Sequence, residues 1–116
     1  VEVILGDYDN PKLPKGILDA VIVMDTYHEI EEYITVLKHI KSALKHNGRL
    51  LMLEKLKTHK KGKSREEQVN AHTLSAKYVK EELQEAGFTI TKEIADFGDW
   101  QNNTEKQMWI MVAKIN

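Results

Sequence analysis

Asp25, Thr26, Tyr27 and His28 follow directly on the apolar run Ala20–Met24. His28 is the residue best suited to chemistry, because an imidazole titrates near neutrality and can take a proton that a nucleophile must lose. Asp25 adds a carboxylate, and Tyr27 an aromatic face with a hydroxyl. Each has a plainer reading as well: His28 as a histidine packed in a helix's first turn, Asp25 as a partner of the helix dipole. Glu54 ends another apolar stretch, where it could do no more than anchor the following loop. His72 lies between two predicted helices, either as an ordinary loop residue or as part of a site. None of the histidines falls in H-E-x-x-H or another metal spacing, so the sequence proposes no metal. With no cysteine, a disulfide, a thiolate nucleophile and Cys-ligated zinc are all excluded.

These residues need elements to position them. An unbroken apolar run such as Ala20–Met24 predicts a parallel strand covered on both faces, and open α/β sheets bind ligands at the carboxyl ends of such strands. Thr26–Glu29 matches a capping box, which predicts a helix starting there. Ile30, Tyr33, Ile34, Leu37, Ile40 and Leu44 continue it at helical spacing, and Asn47-Gly48 stops it. Val1–Leu5 and Arg49–Glu54 read as further strands, with the loop 6–16 after the first and a basic loop 55–63 after the second. Ser64 opens a short helix to about Ala71. Ser75 caps another, whose apolar face is Ala76, Val79, Leu83 and Ala86 and which ends at Gly87. Phe88–Phe97 and Met108–Lys114 read as a strand pair around the polar loop 98–107. Alternation followed by a hairpin predicts an α/β fold: a mostly parallel sheet with an antiparallel C-terminal hairpin, and helices on its faces.

The 116 residues form one domain, 41% hydrophobic and 30% charged. A formal net charge of −1 gives no general attraction to nucleic acid or to an anionic membrane. Lys55, Lys57, Lys60, Lys61, Lys63 and Arg65 cluster, but no aromatic residue interleaves with them, so a solvated loop is expected and nucleic acid is not. No apolar run is long enough to span a membrane, and a cytoplasmic setting is expected. The chain opens at Val1 inside an apolar stretch, which reads as a fragment or as part of a longer protein.

Together, Val-Glu-Val-Ile-Leu-Gly-Asp7, the segment Leu18–Ile30, Leu-Lys-His-Asn-Gly-Arg-Leu-Leu-Met-Leu-Glu54 and Leu-Gln-Glu-Ala-Gly-Phe88 resemble the class I S-adenosylmethionine-dependent methyltransferases. The resemblance spans the chain but only the C-terminal half of that Rossmann-like fold. It implies a single partial domain over residues 1–116, lacking the glycine-rich turn and the acidic residue that holds the ribose. It further implies S-adenosylmethionine as cofactor, with Asp7 near the adenine amino group, Tyr8 on the purine, and Asp25, Thr26 and Tyr27 beside the methionine portion. His28 and His72 would face the substrate, with His28 as the catalytic base where one is needed. A small-molecule acceptor is expected, and lack of cysteine argues against thiol-dependent arsenic methylation. In the family's sheet, two strands separate those matching Val1–Leu5 and Leu18–Met24. Their absence leaves an apolar edge that Val1–Leu5 or another chain would cover, so a homo-oligomer or swapped dimer is expected. These residues alone are expected to be inactive. The alternatives are a non-catalytic methyltransferase-like module that associates through this edge, and another nucleotide-binding α/β protein.

Overall fold

The carboxyl end of the strand Leu18–Met24 (β1) meets that of Leu44–Lys57 (β2) in a parallel pair, Met24 opposite Leu53. The helix Tyr33–Ala43 (α1) makes the crossover between them. This is the βαβ arrangement that brings two strand ends to one edge of a sheet. The short helix Arg65–Asn70 (α2) and the helix Ala76–Glu85 (α3) lead to the antiparallel strands Phe88–Trp100 (β3) and Asn103–Ile115 (β4). The four strands lie in the order β1-β2-β4-β3, with β4 antiparallel to both of its neighbours. The computed structural model describes residues 10–100 and 103–116. Asp7, Tyr8 and the expected strand Val1–Leu5 lie outside the described residues, as does the question of which strand flanks β1.

Alternate residues of β2 and β4 build the core. Leu50, Met52, Trp109, Met111 and Ala113 are buried together with Val36, Leu37 and Ile40 of α1 and Val79 and Leu83 of α3. The α3 stripe is the one its spacing predicts. The opposite face is only half covered. Ile22 and Met24 are 63% and 55% exposed, and Leu51, Ile110 and Val112 are half-buried. The expectation that Ala20–Met24 is covered on both faces is therefore corrected. Val21 and Val23 pack on the core, while Ile22 and Met24 point the other way, as strand periodicity requires.

Three boundaries also differ from the sequence pattern. Thr26 makes no side-chain capping bond, and Tyr27–Glu29 form only a 3-10 turn closed by Glu29 N–H donating to Thr26 O at 2.9 Å. Ile30 is then extended, and α1 starts at Tyr33. The reason is tertiary: Tyr27 and His28 both donate to buried glutamates, which bends the chain over the strand ends. Gly48 does not stop a helix, since α1 ends at Ala43 and β2 already starts at Leu44. A Cβ on Gly48 would sit 3.0 Å from the Leu18 carbonyl oxygen, so glycine here permits close approach of β1 to β2. Both hairpin strands run well into the segment read as polar loop, because cross-strand pairing continues from Gly98–Met108 to Trp100–Asn103. By contrast Ser64 behaves as predicted, accepting from the Glu67 amide at 3.2 Å at the start of α2.

Candidate active site at the ends of two parallel strands

The chain leaves β1 through Asp25, whose φ of 51° is left-handed, a region aspartate tolerates better than most residues. Its amide donates to the Leu53 carbonyl at 2.8 Å, which extends the β1–β2 ladder by one bond. Its carboxylate meets Lys55 Nζ at 2.6 Å. Lys55 is thus buried at the end of β2 and is no part of a solvated loop. The ends of the two strands are therefore joined by an ion pair between the first residue after β1 and a residue of β2.

Tyr27 and His28 diverge from this turn. Tyr27 is buried and its hydroxyl donates to Glu82 of α3 at 2.8 Å. Arg65 binds the same carboxylate through Nε at 2.6 Å and Nη2 at 3.0 Å, and its guanidinium stacks 3.7 Å over the Tyr33 ring. Burial first, and then the Glu82 charge and hydrogen bond, push the Tyr27 phenol far above its ordinary value. Tyr27 therefore remains a protonated donor and does not act as a base.

His28 is held by Glu54, a fully buried carboxylate on β2. Glu54 Oε1 accepts from the His28 amide at 3.0 Å, and both carboxylate oxygens lie 3.0 Å from Nδ1. An ionised carboxylate only accepts, so Nδ1 is the donor, and in the neutral imidazole the lone pair lies on Nε2. Burial raises the Glu54 carboxyl above the usual range, and the hydrogen bonds of His28, with its charge when protonated, oppose that shift only in part. Nε2 points toward Glu29, whose Oε1 is 3.7 Å away. The His72 ring stands edge-on to His28, centroids 6.1 Å apart. His28, Glu29, Ile30, Arg65, Val69 and His72 are among the residues lining a cleft of about 530 Å3, within the range of small-molecule sites.

His72 reaches this place because β2 outruns β1. Beyond Leu53 the flank that β1 leaves open is taken by the segment joining α2 to α3. Leu74 N–H and Thr73 Oγ1 both donate to the Lys55 carbonyl, at 3.2 and 2.8 Å, and Thr73 Oγ1 accepts from the Lys57 amide at 2.8 Å. Like Asp25, His72 is left-handed, with φ 58°. Among the expected site residues, the structure thus brings His28 and His72 to one cleft, while Asp25 lies near the His28–Glu54 pair and is paired with Lys55. Thr26 and Tyr27 instead line a second, more apolar cavity of about 430 Å3 along β1, with Val21, Val23, Met24 and Ile30. Sequence reasoning missed the Glu54–His28 and Lys55–Asp25 pairs. The available signal was an adjacent acid and base, Glu54-Lys55, directly after a run of buried apolar residues.

Among the described residues no helix is long and apolar enough to cross a membrane. No curated protein matches the chain in sequence. Solved structures do match in fold. A SAM dependent methyltransferase from Aquifex aeolicus superposes with a TM-score of 0.74 at 21% identity, over 99% of this chain and 55% of that one. A protein from Pyrococcus horikoshii gives 0.75 at 18%, over 100% of this chain and 60% of its own. A possible histamine N-methyltransferase from Thermotoga maritima gives 0.71 at 15%, over 94% and 61%. The chain thus spans little more than half the length of these proteins, as a partial Rossmann-like fold. Residues 3–115 match the NNMT/PNMT/TEMT family. With that match across nearly its whole length, the chain belongs to this family of class I S-adenosylmethionine-dependent methyltransferases.

Proposed function

We propose that this chain carries the acceptor side of an S-adenosylmethionine-dependent methyltransferase, and that its acceptor is a small molecule whose nucleophilic atom bears a proton. The observation that carries this reading is the His28–Glu54 pair. A buried carboxylate meets Nδ1, so a neutral imidazole would present Nε2, beside Glu29, from a residue that lines a cleft of small-molecule size. That is the arrangement of a general base held in place by a third group.

The cofactor, when bound, supplies an electrophilic methyl group. The described residues fit one end of it. The cavity along β1 offers an apolar wall from Val21, Val23, Thr26 and Tyr27 beside the strand end, where Asp25 turns the backbone. Asp25, Thr26 and Tyr27 would flank the methionine portion. Asp7 and Tyr8 keep their proposed places at the adenine. His28 Nε2 takes the acceptor's proton as the nucleophile attacks, and Glu54 stabilises the imidazolium that forms. His72 lines the acceptor's side of the cleft. Positioning and charge complementarity supply the rest, since in-line displacement demands alignment above all.

The test is methyl transfer to small amines and alcohols by the enzyme that contains this chain, in wild type and His28→Ala. Loss of turnover with cofactor binding retained is expected. Equal turnover in the variant would overturn the role of His28. The sequence has no G-x-G-x-x-G turn, so calorimetry on the 116 residues alone should show no micromolar cofactor binding.

A second reading, association with another copy through the β1 side of the sheet, is favoured by the exposure of Ile22 and Met24. Sedimentation of wild type against Ile22→Ser decides it: a dimer that the substitution dissociates supports this reading, and a wild-type monomer ends it. A cytoplasmic setting remains part of the proposal.

A further inference from the structure

We propose that His28, His72 and Glu29 bind a divalent transition-metal ion, zinc foremost, at the mouth of the cleft. Each of the three offers one ligand atom, and these atoms all lie within 4.8 Å of one another. Donors around a tetrahedral zinc at 2.0–2.1 Å are about 3.3 Å apart. The remaining distance is closed by rotamer changes in His72 and Glu29, both exposed side chains, while His28 stays fixed.

The sequence spacing hides this set, because a histidine and a glutamate at the β1 exit are joined by a histidine from the α2–α3 segment. Three features favour a metal at these ligands. The first is the buried carboxylate behind His28. A metal-ligating histidine almost always donates its other ring N–H to a carboxylate or carbonyl, and Glu54 is the acceptor here, with both oxygens 3.0 Å from Nδ1. The second is the anchoring of the loop. His72 N–H donates to Val69 O at 2.9 Å, and Thr73 and Leu74 are bonded to β2, so the left-handed His72 is positioned before any ligand arrives. The third is charge. Arg65 lines the same cleft but is committed to Glu82, whereas Glu66 adds a further carboxylate to the lining.

Two imidazoles and a carboxylate suit zinc, cobalt, nickel or iron better than magnesium or calcium, which favour all-oxygen sites. Three protein ligands leave at least one position open to the cleft, the pattern of a catalytic rather than a structural site. The other grouping of acids and histidine, Asp25 with His28 and Glu54, is already satisfied internally by Lys55 and by the His28 ring. A metal ion and a proton compete for the same lone pair on Nε2. The loaded site would therefore activate a bound hydroxyl or amine by Lewis acidity, and the metal-free site by proton acceptance.

The inference shares His28 with the proposed methyl transfer but is tested without cofactor or acceptor, so either can fail alone. Chelator-treated protein is titrated with zinc chloride by calorimetry and with cobalt chloride by visible absorption. One ion per chain is expected, with the intense d–d bands of a low-coordinate cobalt site. His72→Asn, which tolerates the left-handed backbone, should weaken zinc by at least about tenfold, and Glu29→Gln should weaken it as well. His59→Ala, an exposed histidine outside the cleft, should change nothing. Absence of micromolar zinc binding, or zinc binding unchanged in both His72→Asn and Glu29→Gln, would overturn the proposal. Circular dichroism checks the fold of each variant. Should His72→Asn unfold, the Glu29→Gln titration decides alone, since that side chain is 65% exposed.

Discussion

Tyr27 and His28 are sequence neighbours that solve the same problem in opposite ways. Each leaves the β1 turn and donates to a glutamate buried in another element. On the Tyr27 side, Glu82 is also gripped twice by Arg65, and Arg65 stacks on Tyr33. The donor, the acceptor and the charge are all accounted for. On the His28 side, Glu54 is held by the imidazole and the backbone amide of His28. The second ring nitrogen faces the cleft. A polar network closed on itself holds elements together; one that ends in an unused lone pair can do chemistry.

The largest test of this contrast is His28→Ala in the active enzyme. Turnover should fall about 10²–10⁴-fold, the usual worth of a positioned base, and the melting temperature should fall too, because buried Glu54 then keeps only the backbone amide of residue 28. Next comes Arg65→Ala, which strands the Glu82 carboxylate at 10% exposure. We expect about 3 kcal/mol of destabilisation, read from the urea midpoint, because removing one partner of a buried pair leaves the other uncompensated. Glu54→Gln preserves shape but no longer selects the His28 tautomer, so turnover should fall about 10–100-fold. Cofactor affinity, measured by calorimetry, should hold in that variant. The smallest effect belongs to Tyr27→Phe. Glu82 keeps Arg65, and only one hydrogen bond to the carboxylate is lost, so about 1.5 kcal/mol should disappear from the same urea titration. If Tyr27→Phe proved as damaging to turnover as His28→Ala, the distinction between the two networks would collapse.

Much of this was readable from residue order. The α3 stripe, the Ser64 cap, the four strands from Leu18 onward and the placing of His28 just past the carboxyl end of β1 follow from periodicity and turn chemistry, which act locally. The family was legible through the order of its segments. What local reasoning could not show is which glutamate a residue would meet. The capping pattern at Thr26–Glu29 is genuine as a pattern, yet Glu54 and Glu82 lie 26 and 55 residues away from their partners and redirect the chain before a helix can form. His72 is the same case, since its neighbourhood with His28 depends on β2 being longer than β1. The hairpin boundary was misjudged for another reason: polar strands exposed to solvent carry no alternation to mark them.

The hairpin has a consequence of its own. Glu54 lies opposite Trp109 in the β2–β4 ladder, and Trp109 Nε1 reaches past it to donate to the Leu74 carbonyl at 2.9 Å. The last strand contributes no group to the cleft, yet it grips both the strand that carries Glu54 and the segment that carries His72. It acts as a gauge block. Slipping β4 by one residue would turn Trp109 to the opposite face and release the loop, while every cleft residue kept its identity. Sequence changes in the C-terminal hairpin can therefore retune the spacing between the two histidines from a distance, and Trp109 offers a built-in optical reporter of whether that spacing holds.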